Sequence, residues 1–295
     1  MLTDDDLAVK ATRLVNASAK NSYDPFTDID WSVPFDDAHG YFLPPEDLPL
    51  YGTSVWAAMS EPERIAYSRH ELAALCGAGI WFENVLMQLV LKHLYELPAT
   101  DGSHRYLLVE TADECRHSAM FGEVIRRAGT PDYRVPPWLR WMGRFFLATA
   151  SAPEGYLGIL AAEELLDASN RRTMSDDRIH PISRGVARVH VAEEARHISY
   201  ARSFVDHAWP HAGRFARLRT RMRAPFIVQA IVWCTTNPAV YAALGRPDAR
   251  RSAIGNPIHR RRVVADLARL TGLLTEMGII TRRNRALWRR LGLVQ

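Results

Sequence analysis

The sequence predicts an all-α protein built around a four-helix bundle. Three observations support this: no alternation of apolar and polar residues is long enough for a sheet, strong helix start and stop signals recur, and a pattern of Glu and His residues repeats after 80 positions. The 295 residues, 47% of them hydrophobic, are enough for one large domain with a buried core. We expect a single domain over residues 1–295, with the core bundle at about 60–210.

An N-terminal arm, residues 1–59, precedes the predicted bundle. Residues 3–20 fit a short amphipathic helix that is capped by Thr3 and the acidic residues after it. Residues 21–52 are rich in Pro, Asp and aromatic residues. We expect this part of the arm to be extended and to wrap around the core, because its aromatic side chains need burial.

The first helix pair of the bundle is predicted at 61–97 and about 101–127. Ser60 and Glu63 have the spacing of a capping box at the start of the first helix. A proline after residue 97 ends that helix, and Gly129 ends the second. This arrangement predicts an antiparallel hairpin of two long helices.

The second helix pair is predicted at about 154–177 and 181–209, and a helix from about Trp138 precedes it. Residues 211–295 are expected to form shorter accessory helices, since Asn-Pro and Gly-containing turns divide them. The most apolar long stretch, 225–244, is interrupted by polar residues and Pro, so we predict a buried helix pair and no membrane span.

Charge is unevenly distributed along the chain. The net charge of +4 comes almost wholly from Arg, and residues 211–295 contain 17 Arg against three acidic residues. We interpret this as basic C-terminal helices packed on an acidic core, with docking of an acidic electron-transfer partner as the alternative. Nothing in this distribution indicates nucleic-acid binding. Three cysteines without a CxxC pair and the absence of a signal-peptide pattern predict a cytoplasmic protein.

The repeated pattern consists of a Glu followed, 31 residues later, by Glu-x-x-His. It occurs as Glu83, Glu114 and His117, and again as Glu163, Glu194 and His197. Residues 83 and 114 lie at similar distances from the turn of the first hairpin, roughly 20 Å at 1.5 Å per residue. The two carboxylates are therefore level and face each other, and the second hairpin repeats this arrangement.

Two such hairpins place one Glu on each of two helices and one Glu-x-x-His on each of the others. This is the arrangement of di-iron or di-manganese carboxylate sites in ferritin-like bundles. Glu83 and Glu163 lie in apolar sequence surroundings, where a carboxylate needs a cation to offset its desolvation. A solvated helix face, the alternative interpretation, fits these surroundings poorly.

One histidine breaks the symmetry of the two repeats. His190 lies one turn before Glu194, where the first repeat has Glu110. His190 is a candidate third imidazole ligand, with a supporting or core histidine as the alternative. Glu110 and Asp167 each lie one turn from a proposed ligand and are candidates for orienting the histidines from behind, or are ordinary surface acids.

Four Glu and three His in this order resemble the p-aminobenzoate N-oxygenase family of ferritin-like di-iron oxygenases over residues 60–210. The resemblance implies seven metal ligands, which are Glu83, Glu114, His117, Glu163, His190, Glu194 and His197. It also implies two iron ions (manganese being the alternative), O2 as co-substrate, an external electron donor such as a reductase or ferredoxin, and a homodimer. The implied reaction is oxidation of an arylamine nitrogen towards a hydroxylamine or nitro group.

Other functions remain open at this stage. A ferritin-like di-iron hydroxylase or desaturase acting on an apolar substrate is the closest alternative. An iron-storage or other non-catalytic iron-binding protein and a metal-free helical interaction protein are more distant ones. We predict a small-molecule amine substrate and neither a nucleic-acid nor a membrane partner.

The substrate's anchor is the least determined feature. Positions one and two turns before Glu83 are small or apolar (Gly79, Cys76 and Leu75), so an aryl carboxylate has no evident partner there. Ser169 and Asn170, about two turns after Glu163, are the nearest polar candidates for the substrate pocket. We therefore expect an amine that is less polar than p-aminobenzoate, or differently substituted.

Overall fold

The computed structural model describes residues 3–295; residues 1 and 2 of the predicted arm lie outside the described residues. The described chain is helical, and its one β-bridge joins Tyr41 to Ile179. The helices are α1 Asp4–Lys20, α2 Ser54–Ala57, α3 Glu61–Glu96, α4 Gly102–Ala128, α5 Pro137–Thr149, α6 Ala152–Ser175, α7 Pro181–Ala208, α8 Arg214–Cys234, α9 Pro238–Ala243, α10 Ala249–Gly255, α11 Pro257–Asp266, α12 Ala268–Glu276 and α13 Arg285–Arg290. Short 3-10 turns occur at Asp37–His39, Pro45–Asp47 and Trp209–His211.

The long helices begin and end where the sequence predicts, within a few residues. Ser60 and Glu63 form the capping box of α3, and the Asp101 side chain accepts a hydrogen bond from the Ser103 backbone at the start of α4. Gly129 ends α4 in the left-handed conformation, with φ of 60°, which favours glycine. The all-α prediction is confirmed.

Two helix pairs form the ferritin-like bundle. α3 packs along α4, and α6 packs along α7; α3 also contacts α6, and α4 contacts α7. Each pair is a hairpin, so the four helices enclose a common centre to which all of them contribute buried side chains. The bundle buries an unusual number of acidic and imidazole groups at this centre.

The N-terminal arm packs against the bundle. α1 lies on α4 and α7, and the segment after it buries aromatic side chains, as the sequence predicts. Phe42 is fully buried and stacks on the His180 ring at the start of α7, with 5.0 Å between centroids. Phe26, by contrast, is half exposed. The arm therefore covers the ends of α6 and α7.

The C-terminal helices cover α6, which α8, α11 and α12 all contact. Arginines of this region pair with acids earlier in the chain, as in Arg219–Glu154 at 2.8 Å and Arg246–Glu63 at 2.8 Å. These ion pairs agree with the interpretation of the basic tail as a layer over an acidic core.

Two segments, Glu61–Glu96 and Arg214–Ala243, have the length and hydropathy of a membrane span, and 39% of each apolar window is buried. The first is α3, a central helix of the bundle. The second is divided at Asn237, where α9 begins. The prediction of a buried helix pair at 225–244 is only partly right, because α8 buries one face on α6 and leaves Phe226 and Trp233 about half exposed.

Candidate metal centre

The seven side chains with the predicted ligand pattern meet at the centre of the bundle, and all of them are buried. Four overlapping groups have ligand atoms within 4.8 Å of one another. These groups are Glu83 with His117 and His190, Glu114 with Glu194 and His197, Glu163 with His190 and Glu194, and Glu83 with Glu114 and Glu163. The overlap means that one cluster, large enough for two ions, includes every predicted ligand.

Glu114 and Glu194 occupy the middle of the cluster. His117 Nδ1 lies 2.9 Å from Glu114 Oε2 and 3.1 Å from Glu194 Oε1. His197 Nδ1 lies 2.9 Å from Glu114 Oε1 and 3.0 Å from Glu194 Oε2. Each carboxylate therefore directs one oxygen towards each imidazole, which is the placement that a carboxylate needs to bridge two ions.

Both of these imidazoles direct Nδ1 inwards and are held from outside through Nε2. His117 Nε2 lies 2.9 Å from Glu193 Oε2, and His197 Nε2 lies 3.3 Å from Asp113 Oδ2. The pairing crosses the bundle, since each acid belongs to the other helix. An acid at Nε2 fixes the tautomer that leaves the Nδ1 lone pair free for a metal ion.

Two arginines support these outer acids. Arg116 pairs with Asp113, and Arg196 Nη2 lies 3.0 Å from Asp113 Oδ2 and 3.3 Å from Glu193 Oε1. Asp113 and Glu193 are nearly fully buried, so the arginines compensate charges that would otherwise be costly there.

Neither Asp113 nor Glu193 is among the site residues predicted from the sequence. Both follow from the same repeat, because 80 residues separate Asp113 from Glu193 and Arg116 from Arg196. The repeated unit is therefore acid-Glu-x-Arg-His, and the extra acid and Arg could have been recognised with the ligands.

His190 approaches the cluster differently. Its Nε2 lies 3.6 Å from Glu83 Oε1 and 3.5 Å from Glu194 Oε1, while its Nδ1 lies 3.1 Å from the side-chain amide of Asn170. His190 thus presents Nε2 to the cluster, whereas the other two histidines present Nδ1.

The donors fit hard or borderline divalent cations. Glu83 Oε2, Glu163 Oε2 and His190 Nε2 are buried without a hydrogen-bond partner among the described residues. Buried polar atoms of this kind are costly unless something binds them. Carboxylate and imidazole donors without a thiolate suit iron or manganese, and the thiol of Cys115, next to Glu114, is exposed.

The acids of the centre differ in their ease of ionisation. Burial and the neighbouring carboxylates Glu114 and Glu194 raise the pKa of Glu83 well above its usual range, and burial raises that of Glu163 likewise. Burial also opposes ionisation of Glu194, but His197 and His190 outweigh it and hold its pKa well below the usual value. Bound cations would stabilise the ionised carboxylates of Glu83 and Glu163.

The remaining predicted residues lie in varied places. Glu110 is buried, and burial raises its pKa to about 8; it contacts no ligand histidine through a hydrogen bond. Asp167 pairs with Arg171 at 2.7 Å and lines a polar cleft between α6, α7 and α12. Of the two interpretations given for Asp167, this pairing favours an ordinary acid over one that orients a ligand histidine.

Of the two predicted substrate-pocket residues, Ser169 lines a small cavity of about 80 Å³ that Glu71 and Leu75 also line. Ser169 donates a hydrogen bond to Asp47 of the arm at 3.3 Å, and Asn170 contacts His190. Asn170 therefore contacts the candidate ligand His190 on the side of the ring that faces away from the cluster. The positions of Ser169 and Asn170 along the helix predicted that both lie near the site. They did not predict that Ser169 contacts the N-terminal arm and that Asn170 contacts α7.

An apolar chamber of about 240 Å³ adjoins the cluster between α3, α5, α6 and α8. Glu163 lines its inner end, and the walls are aromatic and aliphatic; Arg223 contributes the one other charged side chain of the lining. The lining includes Trp81, Phe82, Leu86, Leu139, Met142, Phe145, Phe146, Ile159, Ala162, Phe226 and Ile227. An apolar molecule of modest size fits this space, with one end near Glu163.

Close packing of α5 forms one wall of the chamber. A Cβ atom on Gly143 would lie 2.5 Å from the Trp81 ring, so only glycine lets α5 approach α3 this closely. Arg223 lies at the outer end, where it donates a hydrogen bond to Thr149 at 2.8 Å and lies over the Phe145 ring at 5.7 Å.

Known proteins and a family model resemble this chain in sequence. Uncharacterised proteins from Mycobacterium bovis and Mycobacterium tuberculosis are each 30% identical to the chain over 225 residues, which are 74% of this chain. The match spans 66% of the length of these relatives, slightly under two thirds. The family model described as p-aminobenzoate N-oxygenase AurF matches residues 4–278. The helical fold and the cluster of candidate metal ligands agree with this match, which covers nearly the whole chain and shows that the chain belongs to the p-aminobenzoate N-oxygenase AurF family.

Proposed function

We propose that this protein is a di-iron oxygenase that uses O2 to oxidise the nitrogen of a small amine with a largely apolar body. The observation that carries the proposal is the apolar chamber that ends at Glu163, one of the seven candidate ligands. The family match supports oxygenase chemistry, and the chamber supports the class of substrate.

The residues have separable roles in this proposal. Glu114 and Glu194 would hold the two ions together with the remaining carboxylates and imidazoles of the cluster. Two iron ions held there would supply the activation of O2. The outer acids keep the imidazoles in the metal-binding tautomer, and the aromatic walls exclude water and hold the amine near the centre.

The lining of the chamber favours an apolar amine over p-aminobenzoate. A substrate carboxylate would have to reach Arg223 at the outer end, where Glu154 already lies 3.7 Å from its Nη1. Along the rest of the chamber an anion would be desolvated without a partner. An aryl or alkyl-aryl amine without a carboxylate enters without the cost of desolvating an anion.

The direct test uses the purified protein loaded anaerobically with Fe(II) and then given isotopically labelled O2 and an external reductant. A panel of amines includes p-aminobenzoate, its methyl ester and simple alkyl-substituted anilines. We expect labelled oxygen on nitrogen, detected by mass spectrometry, with the apolar amines turned over faster. Turnover of p-aminobenzoate equal to that of the best apolar amine would contradict the substrate assignment.

Hydroxylation or desaturation of an apolar substrate is the second candidate, and the same apolar chamber favours it. Product analysis separates the two, because these reactions place oxygen on carbon or remove two hydrogens and leave the nitrogen unchanged. Metal analysis of the same preparation tests the cofactor: we expect two irons per chain, and manganese instead of iron would change the proposed cofactor.

A further inference from the structure

Helices α5 and α8 carry a continuous apolar surface that the described chain leaves uncovered. It consists of eight side chains, each about half exposed or more, and we call it the α5–α8 face. Its residues are Trp138, Trp141 and Phe145 of α5 and Phe215, Leu218, Met222, Phe226 and Trp233 of α8. The α8 residues follow a spacing of three, four or seven, which places them along one side of that helix.

Ring contacts join the two helices into one surface. Trp138 and Trp233 lie edge to face with 5.2 Å between centroids. Phe145 and Phe226 both belong to the lining of the apolar chamber and are 54% and 50% exposed. The chamber therefore opens within the α5–α8 face, so whatever covers this face also lies at the chamber mouth.

The size of this face exceeds what a protein ordinarily leaves in water. With about 150–250 Å² for each whole aromatic side chain, its six aromatic residues alone expose roughly 700 Å². The largest apolar patch of a typical monomer is about 300–600 Å². Exposure of this much apolar surface is unfavourable in water, which indicates that the face has a binding partner.

Arginines flank the aromatic residues of the face, and acids do not. The sequences of α5 and α8 contain neither Asp nor Glu. Arg140 and Arg144 directly precede Trp141 and Phe145, so they lie about 100° from them around α5. Both arginines are exposed, as is Arg214 at the start of α8, and none of the three pairs with a carboxylate of residues 3–295. The face therefore combines aromatic side chains with cations that have no acidic partner.

The unpaired arginines distinguish between possible occupants. In a symmetric pairing with a second copy, the arginines of one face would lie beside those of the other. Neither helix offers an acid to separate them, and like charges across an interface are unfavourable. An anionic lipid surface satisfies both parts of the face. Its phosphate groups pair with guanidinium groups at the ends of long side chains, and the lipid below them accepts the aromatic rings.

We infer that the α5–α8 face binds the surface of an anionic lipid bilayer. Basic helices with Trp, Phe and Leu on one side bind in this way, with their apolar side chains at the boundary of head groups and acyl chains. The opposite side of α8 packs on α6, so the two helices lie in the bilayer surface and do not cross it. The sequence-based expectation of no membrane partner concerned a spanning segment, which such a contact does not need.

Docking in this orientation places the chamber mouth against the lipid. Phe145 and Phe226, which line the mouth, would lie at the level of the head groups or below. An apolar amine dissolved in the bilayer could then pass into the chamber without crossing water, at lower cost than from solution. This consequence rests on the proposed function, whereas the docking itself does not.

Vesicle flotation of the full-length chain, without substrate or reductant, tests the inference. We expect wild type to float with vesicles of phosphatidylglycerol and phosphatidylcholine in equal parts, and to bind phosphatidylcholine alone at least about tenfold more weakly. The double variant Trp141→Glu/Met222→Glu changes two exposed residues outside the chamber lining and should abolish flotation. Leu108→Glu, a matched change at an exposed apolar position of α4 (47% exposed), should float as wild type does.

The arginines are tested separately from the aromatic residues. Arg140→Gln/Arg144→Gln should weaken binding to the anionic vesicles at least about tenfold, and the remaining binding should depend less on salt. Arg13→Gln/Arg105→Gln removes the same charge at exposed positions of α1 and α4 and should bind as wild type does. Equal losses in the two double variants would mean that the net charge of the chain attracts the vesicles, and not the α5–α8 face.

Two outcomes overturn the inference outright: a wild type that does not float, and flotation that survives Trp141→Glu/Met222→Glu. Light scattering of the same samples then identifies the occupant. A mass of twice 33.4 kDa that the double variant loses assigns the face to a second copy, and the mass of a single chain leaves it to a different protein. Because these assays do not measure turnover, a failure here is distinct from a failure of the proposed function.

A fluorescent label gives a second measurement that does not depend on the double variant folding. Met222→Cys carries an environment-sensitive dye in a Cys115→Ser background, since Cys76 and Cys234 are buried. Anionic vesicles should shift its emission to shorter wavelength, and lipids brominated on the acyl chain should quench it. Leu108→Cys with the same dye should show neither change. Equal responses at the two positions, or none at either, would contradict docking through the α5–α8 face.

Discussion

The side-chain amide of Asn170 lies 3.1 Å from Nδ1 of His190, while Nε2 of the same ring lies among the carboxylates of the centre. The amide nitrogen faces the ring here, and half a turn of the amide brings its oxygen to the same place. An amide oxygen that accepts from Nδ1–H leaves the Nε2 lone pair free for an ion. Asn170 is thus placed to determine whether His190 binds metal.

Asn170→Ala should therefore lower the affinity for Fe(II) or Mn(II) by about 10–100-fold, as loss of a hydrogen-bond partner behind a ligand typically does. Competition with a chromogenic chelator measures this. Asn170→Asp should restore most of the affinity, because its carboxylate also accepts from Nδ1–H. Ser169→Ala, at the neighbouring residue, removes only a contact with Asp47 and should bind metal as wild type does. Wild-type affinity in Asn170→Ala would exclude this role.

The outer acid Glu193 gives a second prediction. Glu193→Gln keeps the shape of the side chain but removes the charge that holds His117 Nε2 at 2.9 Å, so metal affinity should fall by about 10–100-fold. The matched control is Glu164→Gln on α6, since Glu164 is also largely buried but pairs with Arg202 away from the cluster. If both substitutions changed metal affinity equally, the effect would reflect lost stability rather than the contact with His117.

The ligand set was predictable from the sequence because the bundle repeats its geometry. Glu83 and Glu163 precede their Glu-x-x-His motifs by the same interval. In each helix hairpin this interval places the first Glu at the same height in the bundle as the motif. Helix periodicity predicts which face of a helix a side chain lies on. It does not predict which other helix packs against that face. The contact of Asn170 with His190 of α7 could not be predicted for this reason.

The chamber was not predictable in the same way. Its walls come from helices that carry no motif, and they are brought together by packing between residues far apart in sequence. Gly143 of α5 against Trp81 of α3 is an example, because neither residue type signals the contact. From the sequence, a polar anchor for the substrate was looked for on the helix that carries Glu83. The cationic side chain that lines the chamber, Arg223, instead belongs to α8.

The chamber gives a third prediction. Ala162 lines it beside Glu163, so Ala162→Leu should fill part of the space and lower kcat/KM for a bulky amine at least tenfold while leaving two metal ions bound. Ala168→Leu makes the same change on α6 at the polar cleft and should leave kinetics unchanged. Steady-state kinetics and metal analysis of the same preparations check both. Unchanged kinetics in Ala162→Leu would remove the chamber from the substrate's path.

The last prediction concerns Glu71, a buried acid of α3 outside the metal centre. Tyr241 donates a hydrogen bond to Glu71 Oε1 at 3.1 Å, and no cation pairs with the carboxylate among the contacts of the described residues. Burial raises the pKa of Glu71 to about 7, from an ordinary value of 4.5. Between these values the folded protein holds a proton that the unfolded chain has released, so folding is favoured at low pH.

The stability that this proton provides is fully present below about pH 4.5 and is lost as the pH rises through about 7. The loss is on the order of 3 kcal/mol at 1.36 kcal/mol per unit. Glu71→Gln, which cannot ionise, should therefore gain stability relative to wild type as the pH rises. Urea unfolding of metal-free protein from about pH 5 to about pH 8 measures this difference. Glu96→Gln, at an exposed position of the same helix, should follow wild type throughout. A difference between Glu71→Gln and wild type that stays constant with pH would mean that Glu71 ionises as easily in the folded protein as in the unfolded chain.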